Sequence, residues 1–447
     1  METTPAPARL RRTLTLWDLI LYGVIVIQPV APMSVFGVLR DRGHGHVVTT
    51  ILIAMVAMLF TAISYGRMAR AYPSAGSAFT YVGQEINPAL GYVTGWSMVM
   101  DYMLNPMICI IWCSQQAHVF APAIPYWGWA IFFFLMFTGL NLQGVKTSAR
   151  VNTALAAGMG VVITIFFVTA ARYIFGHDHS AAGFFTQPFY DPALWNTKAV
   201  LGGTSIAVLT YIGFDGISTL SEEAENPRRN ILLATVLTCL VIGILSAVQV
   251  YVAQLIWPSS QAFPDVDTAF TFVAGRAWAP MFAILGFTLL VANFGSGMGA
   301  QLGAARLLYG MGRSKALPQS FFGALDPKRH VPRNNVIFVG LIALAGAFVI
   351  SYGLGAEMLN FGALIAFMGV NLAAFMRYYV REDRKKLSNL VPPLAGFFIC
   401  LLLWLNLSRP AKIVGAIWMA VGIAFGAIKT RGFRGNLIDF ELPPDEA

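Results

Sequence analysis

The chain has 447 residues, of which 57% are hydrophobic and only 11% are charged. So few charges cannot cover a soluble globule of this size, so the composition indicates a polytopic membrane protein. The net charge of +9 does not indicate a nucleic-acid partner, because the basic residues lie in short clusters between apolar runs, as topology signals do. All four cysteines fall inside hydrophobic runs, and neither a disulfide framework nor a metal site is expected.

Apolar runs of about 20 residues, the length that crosses a hydrocarbon core of about 30 Å, predict twelve transmembrane helices. With both termini in the cytoplasm, 23 of the 30 Lys and Arg residues fall in the inside segments, so the positive-inside rule supports a multi-pass protein in this orientation. The tails, 1–15 and 429–447, are too short to fold as domains and flank a transporter domain at 16–428. The predicted spans are 16–39, 46–66, 89–117, 125–142, 152–174, 200–223, 231–256, 279–305, 334–353, 357–379, 391–407 and 410–428.

The first span is interrupted by the run Gln28-Pro29-Val30-Ala31-Pro32, roughly 15 to 20 Å into the helix and hence near the membrane centre. The two prolines remove helical hydrogen bonds there. Gln28 can donate to a substrate, and free N–H groups of the second half-helix, near Ala31 to Val35, can hold a carboxylate if the substrate has one. The alternative is a simple kink, but a matching break in the sixth span favours binding.

That second break is the run Gly213-Phe214-Asp215-Gly216 in the sixth span. Broken helices persist at membrane depth only where they line a cavity, and a pair of them in corresponding positions of two halves is typical of a secondary transporter. Five spans per unit invert the second unit relative to the first. We therefore predict an all-α membrane protein with a 5+5 inverted repeat, 16–174 and 200–379, and two extra spans at 391–428.

Two carboxylates, Asp101 and Asp215, fall well inside predicted spans, where a charge costs about 2.5 to 3.5 kcal/mol on insertion scales. Asp215 lies in the break, where unwound carbonyls and a carboxylate suit an ammonium group; capping of the second half-helix is the alternative. Asp101, followed by Tyr102 and Asn105-Pro106, forms an acidic and aromatic patch suited to a cation. Its alternative role is a hydrogen bond to a neighbouring helix.

Tyr211 and Phe214 flank the second break and are candidates for gating the cavity, although aromatic residues of apolar helices usually belong to the core. In the loop that follows, Glu222, Glu223 and Arg228 are candidates for a cytoplasmic gate, and Arg228 is equally suited to be a topology signal. No hydrolase, zinc-protease, Walker or Rossmann motif occurs in a credible context, so neither an enzyme nor a cofactor is expected. A channel would need a continuous polar pore, and the predicted spans have only isolated polar positions. A sensor without transport would need a soluble signalling domain, and none is predicted.

Four stretches together resemble the amino acid-polyamine-organocation transporter superfamily. Within it, the segments 60–66, Gly95-Trp96-Ser97 leading to Asp101-Tyr102, and 219–223 look most similar to the putrescine importer branch. The resemblance covers most of the chain. Its four stretches are 64–81, 213–230, Ala305-Arg306-Leu307-Leu308-Tyr309 through Leu317-Pro318, and 371–374.

The resemblance implies a LeuT-like, twelve-span importer in the inner (cytoplasmic) membrane, driven by a proton or sodium gradient. It also implies that the break residues Val26 to Pro32 and Tyr211 to Gly216 line the site. Two departures bear on mechanism: the run 28–32 replaces a Gly-Ser-Gly type run common in amino acid exchangers, and Met159 stands where some proton-coupled members carry Lys. We expect import of a polyamine or related organic cation by alternating access, coupled to H+ rather than Na+, in a monomer or homodimer. The alternative is a permease for a neutral or cationic amino acid.

Overall fold

The computed structural model describes residues 14–72, 77–144, 149–177, 183–221, 223–258, 261–313, 317–326, 328–329, 331–383, 385–430 and 432. Beside its α-helices the chain has two 3-10 segments, Val208–Thr210 and Phe214–Leu220, and a π-helical turn, Met376–Val380. In chain order, the helices are α1 (Leu16–Ile27), α2 (Ala31–Arg42), α3 (Val47–Ala71), α4 (Ser77–Glu85), α5 (Pro88–Phe120), α6 (Tyr126–Leu142), α7 (Ala149–Phe175), α8 (Thr197–Ala207), α9 (Pro227–Ile256), α10 (Ala269–Ala277), α11 (Met281–Arg313), α12 (Gln319–Phe322), α13 (Arg333–Val349), α14 (Tyr352–Phe375), α15 (Leu387–Leu405) and α16 (Arg409–Lys429).

The helices of the described residues agree with the twelve predicted spans. Nine of them are long and apolar enough to cross a bilayer, and α1 with α2 forms a tenth span that bends by 47° at its break. The shorter apolar helices α6 and α13 account for the other two. The prediction of an all-α membrane protein is therefore confirmed, while the short helices α4, α10 and α12 lie in segments that hydropathy assigned to loops.

Helix packing divides the elements around the breaks into two groups. α1, α3, α8, α9 and the 3-10 segment Phe214–Leu220 pack on one another; we call this group the bundle. α5, α6, α11 and α13 also pack on one another; we call them the scaffold. The half-helix α1 and the segment Phe214–Leu220, which lie next to the two breaks, therefore belong to the same group, while the helix that carries Asp101 belongs to the other.

Candidate substrate-binding site

The first break, between α1 and α2, is held by side chains from other helices. Gln28 has a φ of 67°, a left-handed conformation that non-glycine residues rarely adopt. Its Nε2 atom donates to the Ala292 carbonyl on α11 at 2.8 Å, and the Pro29 carbonyl accepts from Nε2 of Gln249 on α9 at 2.9 Å. The unwound backbone is thus stabilised from inside the protein, as membrane depth requires.

The first turn of α2 offers fewer N–H groups to an anion than a regular helix N-terminus does. The Ala31 N–H donates to the Gln28 carbonyl and the Met33 N–H to the Val30 carbonyl, each at 3.0 Å. Pro32, between them, has no N–H. The sequence predicts free donors near Ala31 to Val35, and the structure differs at positions 31 to 33, where a tight local turn and a proline remove three of the four N–H groups that a helix N-terminus leaves without a helical acceptor.

The second break lies between the two 3-10 segments and contacts the first break. Helix α8 ends at Ala207, and Gly213 has a φ of 119°, so the predicted interruption is confirmed, although a 3-10 segment replaces the expected second α-helix. A Cβ atom on Gly213 would lie 3.0 Å from Cγ1 of Val26 and 3.3 Å from Cγ1 of Ile27. The two breaks therefore face each other at close range.

Replacing Gly213 with Ala is expected to destabilise the protein by about 1 to 3 kcal/mol, the usual cost of a non-glycine residue in a strained backbone region. The new methyl group would also press against Val26. The measurement is the apparent melting temperature of the purified protein in detergent. Gly310→Ala is the matched control, because a Cβ atom there meets nothing within 4 Å. Equal melting temperatures for the two variants would contradict the expectation.

The breaks, α5, α7 and α11 enclose a cavity of about 750 Å³, a volume typical of small-molecule sites. Its wall follows α11 from Val291 to Arg306. The cavity therefore extends toward the C-terminal end of α11, which lies on the same side of the membrane as the start of α1. Of the residues that the sequence singled out, those in the wall are Val26, Gln28, Pro29, Asp101, Tyr102, Gly213, Asp215 and Gly216.

Four of the other candidate residues lie outside this wall. Val30 and Ala31 form the junction with α2. Tyr211 is fully buried and donates from its hydroxyl to the Ile51 carbonyl at 3.0 Å. Phe214 is also fully buried, with its ring 5.5 Å from that of Tyr65. In this conformation both aromatic residues belong to the core, the alternative that their apolar surroundings suggested.

Asp101 is an uncompensated carboxylate in the cavity wall. In the described part of the chain no donor hydrogen-bonds to it, and the ion pairs join Glu85 and Glu357, not Asp101, to arginines. Pro106, inside α5, cannot donate to the carbonyl of Tyr102 four residues earlier, so an acceptor is released beside the carboxylate. An unpaired charge at this depth is costly, and an ammonium group is a suitable partner for it.

Asp215 has both features that its sequence position suggested: it caps the break, and it faces the cavity where an ammonium group would bind. One carboxylate oxygen accepts from the Gly213 N–H at 3.3 Å, so the side chain caps the break. It also lies in the cavity wall, close enough to Asp101 for the two charges to interact. Capping therefore holds this carboxylate in place at the cavity surface.

The largest part of the wall that sequence reasoning missed belongs to α11. It includes Ser296, Met298 and Arg306, and Tyr22 joins it from α1. Four glycines in the run 295–303 were the available signal, since closely spaced small residues let a backbone approach a ligand. Met159 of α7, in the place where some related proteins are expected to carry Lys, also lies in this wall.

Hydrogen bonds close the protein between the two breaks and the side of the membrane on which α2 ends. The Trp112 indole N–H donates to the carbonyls of Ser34, at 3.2 Å, and Asp267, at 2.9 Å. Arg40 donates to the carbonyls of Pro258 and Gln261 at 2.6 and 2.8 Å. These contacts join α2 to the segment before α10, so the cavity extends only toward the opposite side.

Asp267, in that closing segment outside the spans, predicts a pH dependence. Burial, together with the neighbouring Asp265 charge, raises its pKa from 3.8 to about 7. A raised carboxyl pKa means that the folded, closed arrangement favours the protonated form, so its stability is full below pH 4 and falls as the pH rises to about 7. Asp267→Asn, a neutral mimic, is expected to exceed the parent protein in stability by about 1 kcal/mol at pH 4.5 and by up to about 4 kcal/mol at pH 8.

Apparent melting temperatures measured from pH 4.5 to 8 test this expectation. The control is Asp383→Asn, which makes the same change at an exposed position and is expected to leave the pH profile unchanged. A constant difference between Asp267→Asn and the parent across this range would refute the assignment.

The predicted cytoplasmic gate is partly described. Glu222 lies outside the described residues. The Glu223 carbonyl accepts from the Leu14 N–H at 3.0 Å, and the Glu225 N–H donates to the Leu14 carbonyl at 2.8 Å, so the start of α1 is tied to the segment after the second break. Arg228 is exposed and, within the described chain, forms no ion pair with Glu223.

A twelve-span helical protein with two facing helix breaks around an acidic cavity has the architecture of a membrane transporter. The chain belongs to the amino acid permease family, whose model "Amino acid permease" matches residues 30–424, and thus to the amino acid-polyamine-organocation superfamily. It is 35% identical to the "Low-affinity putrescine importer PlaP" of Escherichia coli K12, over 98% of this chain and 99% of that protein. Other relatives are a vacuolar cationic amino acid transporter 4 of Arabidopsis thaliana (27% identical; 86% of this chain, 66% of that protein) and the branched-chain amino acid permease BcaP of Bacillus subtilis (25%; 96% of each).

Proposed function

We propose that the protein is a secondary active transporter that imports a polyamine or related organic cation across the cytoplasmic membrane by alternating access. One observation carries this proposal. The cavity between the breaks presents two carboxylates, Asp101 and Asp215, while the first three residues of α2 have no N–H group left for a substrate carboxylate. An amine without a carboxylate therefore fits the site better than an α-amino acid does. The similarity to a putrescine importer supports the same substrate class.

The shape of the cavity supports alternating access. Its wall runs toward Arg306 and the start of α1, the side that the positive-inside rule assigns to the cytoplasm. The opposite side is closed by Trp112 and Arg40. The conformation is accordingly inward-facing, and transport requires a second one in which these contacts part and the cytoplasmic side closes.

The proton is the proposed coupling ion. Asp101 lies in the cavity with no basic partner among the described residues, so it is the group that we propose to carry the proton. Met159 occupies the place where some related proteins are expected to carry a lysine, so we propose a carboxylate as the proton carrier here.

An amino acid permease is the second candidate function, and Arg306 is the observation in its favour. This guanidinium lines the cavity and is the one basic residue in its described wall, so it is the group that a substrate carboxylate would meet. Relatives in other organisms named for cationic and branched-chain amino acids add support.

The deciding experiment is uptake into proteoliposomes of labelled putrescine, arginine, alanine and glutamate, under imposed proton or sodium gradients. We expect saturable putrescine uptake driven by a proton gradient. Accumulation of alanine or glutamate while putrescine and arginine are ignored would overturn the organic-cation proposal in favour of the amino acid permease. Ion leakage without saturation would overturn both.

A further inference from the structure

We infer that Asp101 and Asp215 bind the two ends of one primary diamine at the same time, and that this double contact makes the site prefer diamines to monoamines. The inference rests on the proposed function and deepens it. The substrate it names is a dication with an ammonium group at each end of a short methylene chain. A molecule with an ammonium group at only one end cannot contact both carboxylates in this way.

The two carboxylates reach the same cavity from separate elements. Asp101 projects from α5, a continuous 33-residue helix, and Asp215 from the 3-10 segment after the second break. Both lie in the cavity wall, and their charges interact with each other. The site thus holds two like charges near one another rather than a single acidic position.

Neither charge has a basic partner nearby among the described residues. Arg306, the basic residue of the wall, forms no ion pair with either carboxylate among the described residues. A monoamine neutralises one carboxylate and leaves the other unpaired in a poorly solvated space, which is unfavourable. A diamine neutralises both, so the second ammonium adds binding energy that no neutral group in its place supplies.

The surroundings of the carboxylates fit both ends and the middle of such a molecule. An ammonium group has three N–H donors to satisfy, and next to Asp101 the Tyr102 carbonyl lacks its helical donor because of Pro106. Apolar side chains of the wall, among them Val26 and Ile212, suit a methylene chain. The arrangement is therefore polar at two places with an apolar wall around them.

The double contact also couples binding to movement. Asp215 belongs to the bundle and Asp101 to the scaffold, and these two groups pack mainly within themselves. While both carboxylates are ionised and unoccupied, their repulsion opposes approach of the two groups; a bound dication replaces repulsion by attraction to both. A diamine therefore favours closure of the cavity, whereas a monoamine leaves one side without its contact.

The test measures inhibition of labelled putrescine uptake in proteoliposomes by unlabelled putrescine and by 4-aminobutan-1-ol, which has the same length but a hydroxyl in place of one ammonium. In the parent protein we expect the amino alcohol to have an inhibition constant at least tenfold higher than putrescine. In Asp101→Asn and Asp215→Asn, that ratio is expected to fall to threefold or less. Asn retains an oxygen that accepts the Gly213 N–H, so the cap of the break is kept.

For a variant whose uptake is too slow to measure, the same ratio is obtained from ligand-induced shifts of melting temperature. Asp383→Asn is the charge-matched control and should keep the parent ratio. If the amino alcohol and putrescine inhibit equally in the parent protein while putrescine uptake saturates, the double contact is wrong and the proposed function stands. If neither compound binds and no amine is taken up, the proposed function itself fails and the inference falls with it.

Discussion

Asp101→Asn is expected to reduce putrescine uptake severely while leaving the protein folded. In the described structure the carboxylate has no donor and no basic partner, so the substitution breaks no internal contact and removes only the partner of the incoming cation. Loss of a buried charge partner costs about 2 kcal/mol or more, which corresponds to at least roughly a thirtyfold loss of affinity. Initial uptake rates over a range of putrescine concentrations measure it.

Two comparisons make this result specific to the charge of Asp101. Asp101→Glu retains the charge with a longer side chain and is expected to keep a larger part of the activity than Asn does. Asp383→Asn changes the net charge equally at an exposed position and should transport as the parent does. If the kinetic constants of Asp101→Asn equal those of the parent, Asp101 does not belong to the binding site.

Local sequence determines the breaks, and for this reason they were predictable. The prolines at 29 and 32 cannot complete a helix, and Gly213 allows a left-handed backbone that its neighbours do not favour. Each effect acts within one or two turns and needs no knowledge of the partner helices. The apolar runs are equally local, because the length needed to cross the membrane is a property of each segment alone.

The use of the side chains at those breaks was less predictable. Gln28 was a candidate substrate ligand, yet its Nε2 atom donates to the Ala292 carbonyl, 264 residues away. The Met33 N–H was expected to be free, and a tight turn directs it to the Val30 carbonyl. Such hydrogen bonds depend on tertiary contacts and on the exact turn, neither of which hydropathy or spacing reveals.

The α11 part of the wall illustrates the same limit. Its four glycines between 295 and 303 look like ordinary packing residues of a transmembrane helix, where small residues are common. Only the position of α11 opposite the breaks makes three of them, Gly295, Gly299 and Gly303, part of the cavity wall. Asp101 was recognised because a charge in an apolar span needs an explanation by itself, whereas a glycine does not.

A second large effect is expected on stability, from a charge cluster that the sequence did not indicate. Glu85, at the end of α4, is completely buried. Its carboxylate accepts from Arg377, from Arg381 at 2.6 Å and from the Tyr72 hydroxyl at 2.7 Å. These partners come from the ends of α3 and α14 and the residues directly after them, so one carboxylate joins three elements on the side toward which the cavity extends.

Glu85→Gln should therefore destabilise the protein, because two arginine charges would face a neutral amide. Removing one member of a fully buried ion pair costs about 3 to 5 kcal/mol; here we expect about 2 to 3 kcal/mol, since the Arg377 and Arg381 side chains are 38% and 52% exposed and water can solvate them in part. The measurement is the fraction of monodisperse protein remaining after stepwise heating in detergent.

Glu382→Gln provides the matched control, because this carboxylate is exposed and its hydrogen bond from the Asn389 amide is long, at 3.4 Å. It should leave the heating curve unchanged. Adding Arg381→Gln to Glu85→Gln should recover part of the lost stability, since one of the two unpaired charges is removed with its partner. If the heating curve of Glu85→Gln equals that of the parent protein, the cluster does not hold α3, α4 and α14 together. The packing of their apolar faces must then do so alone.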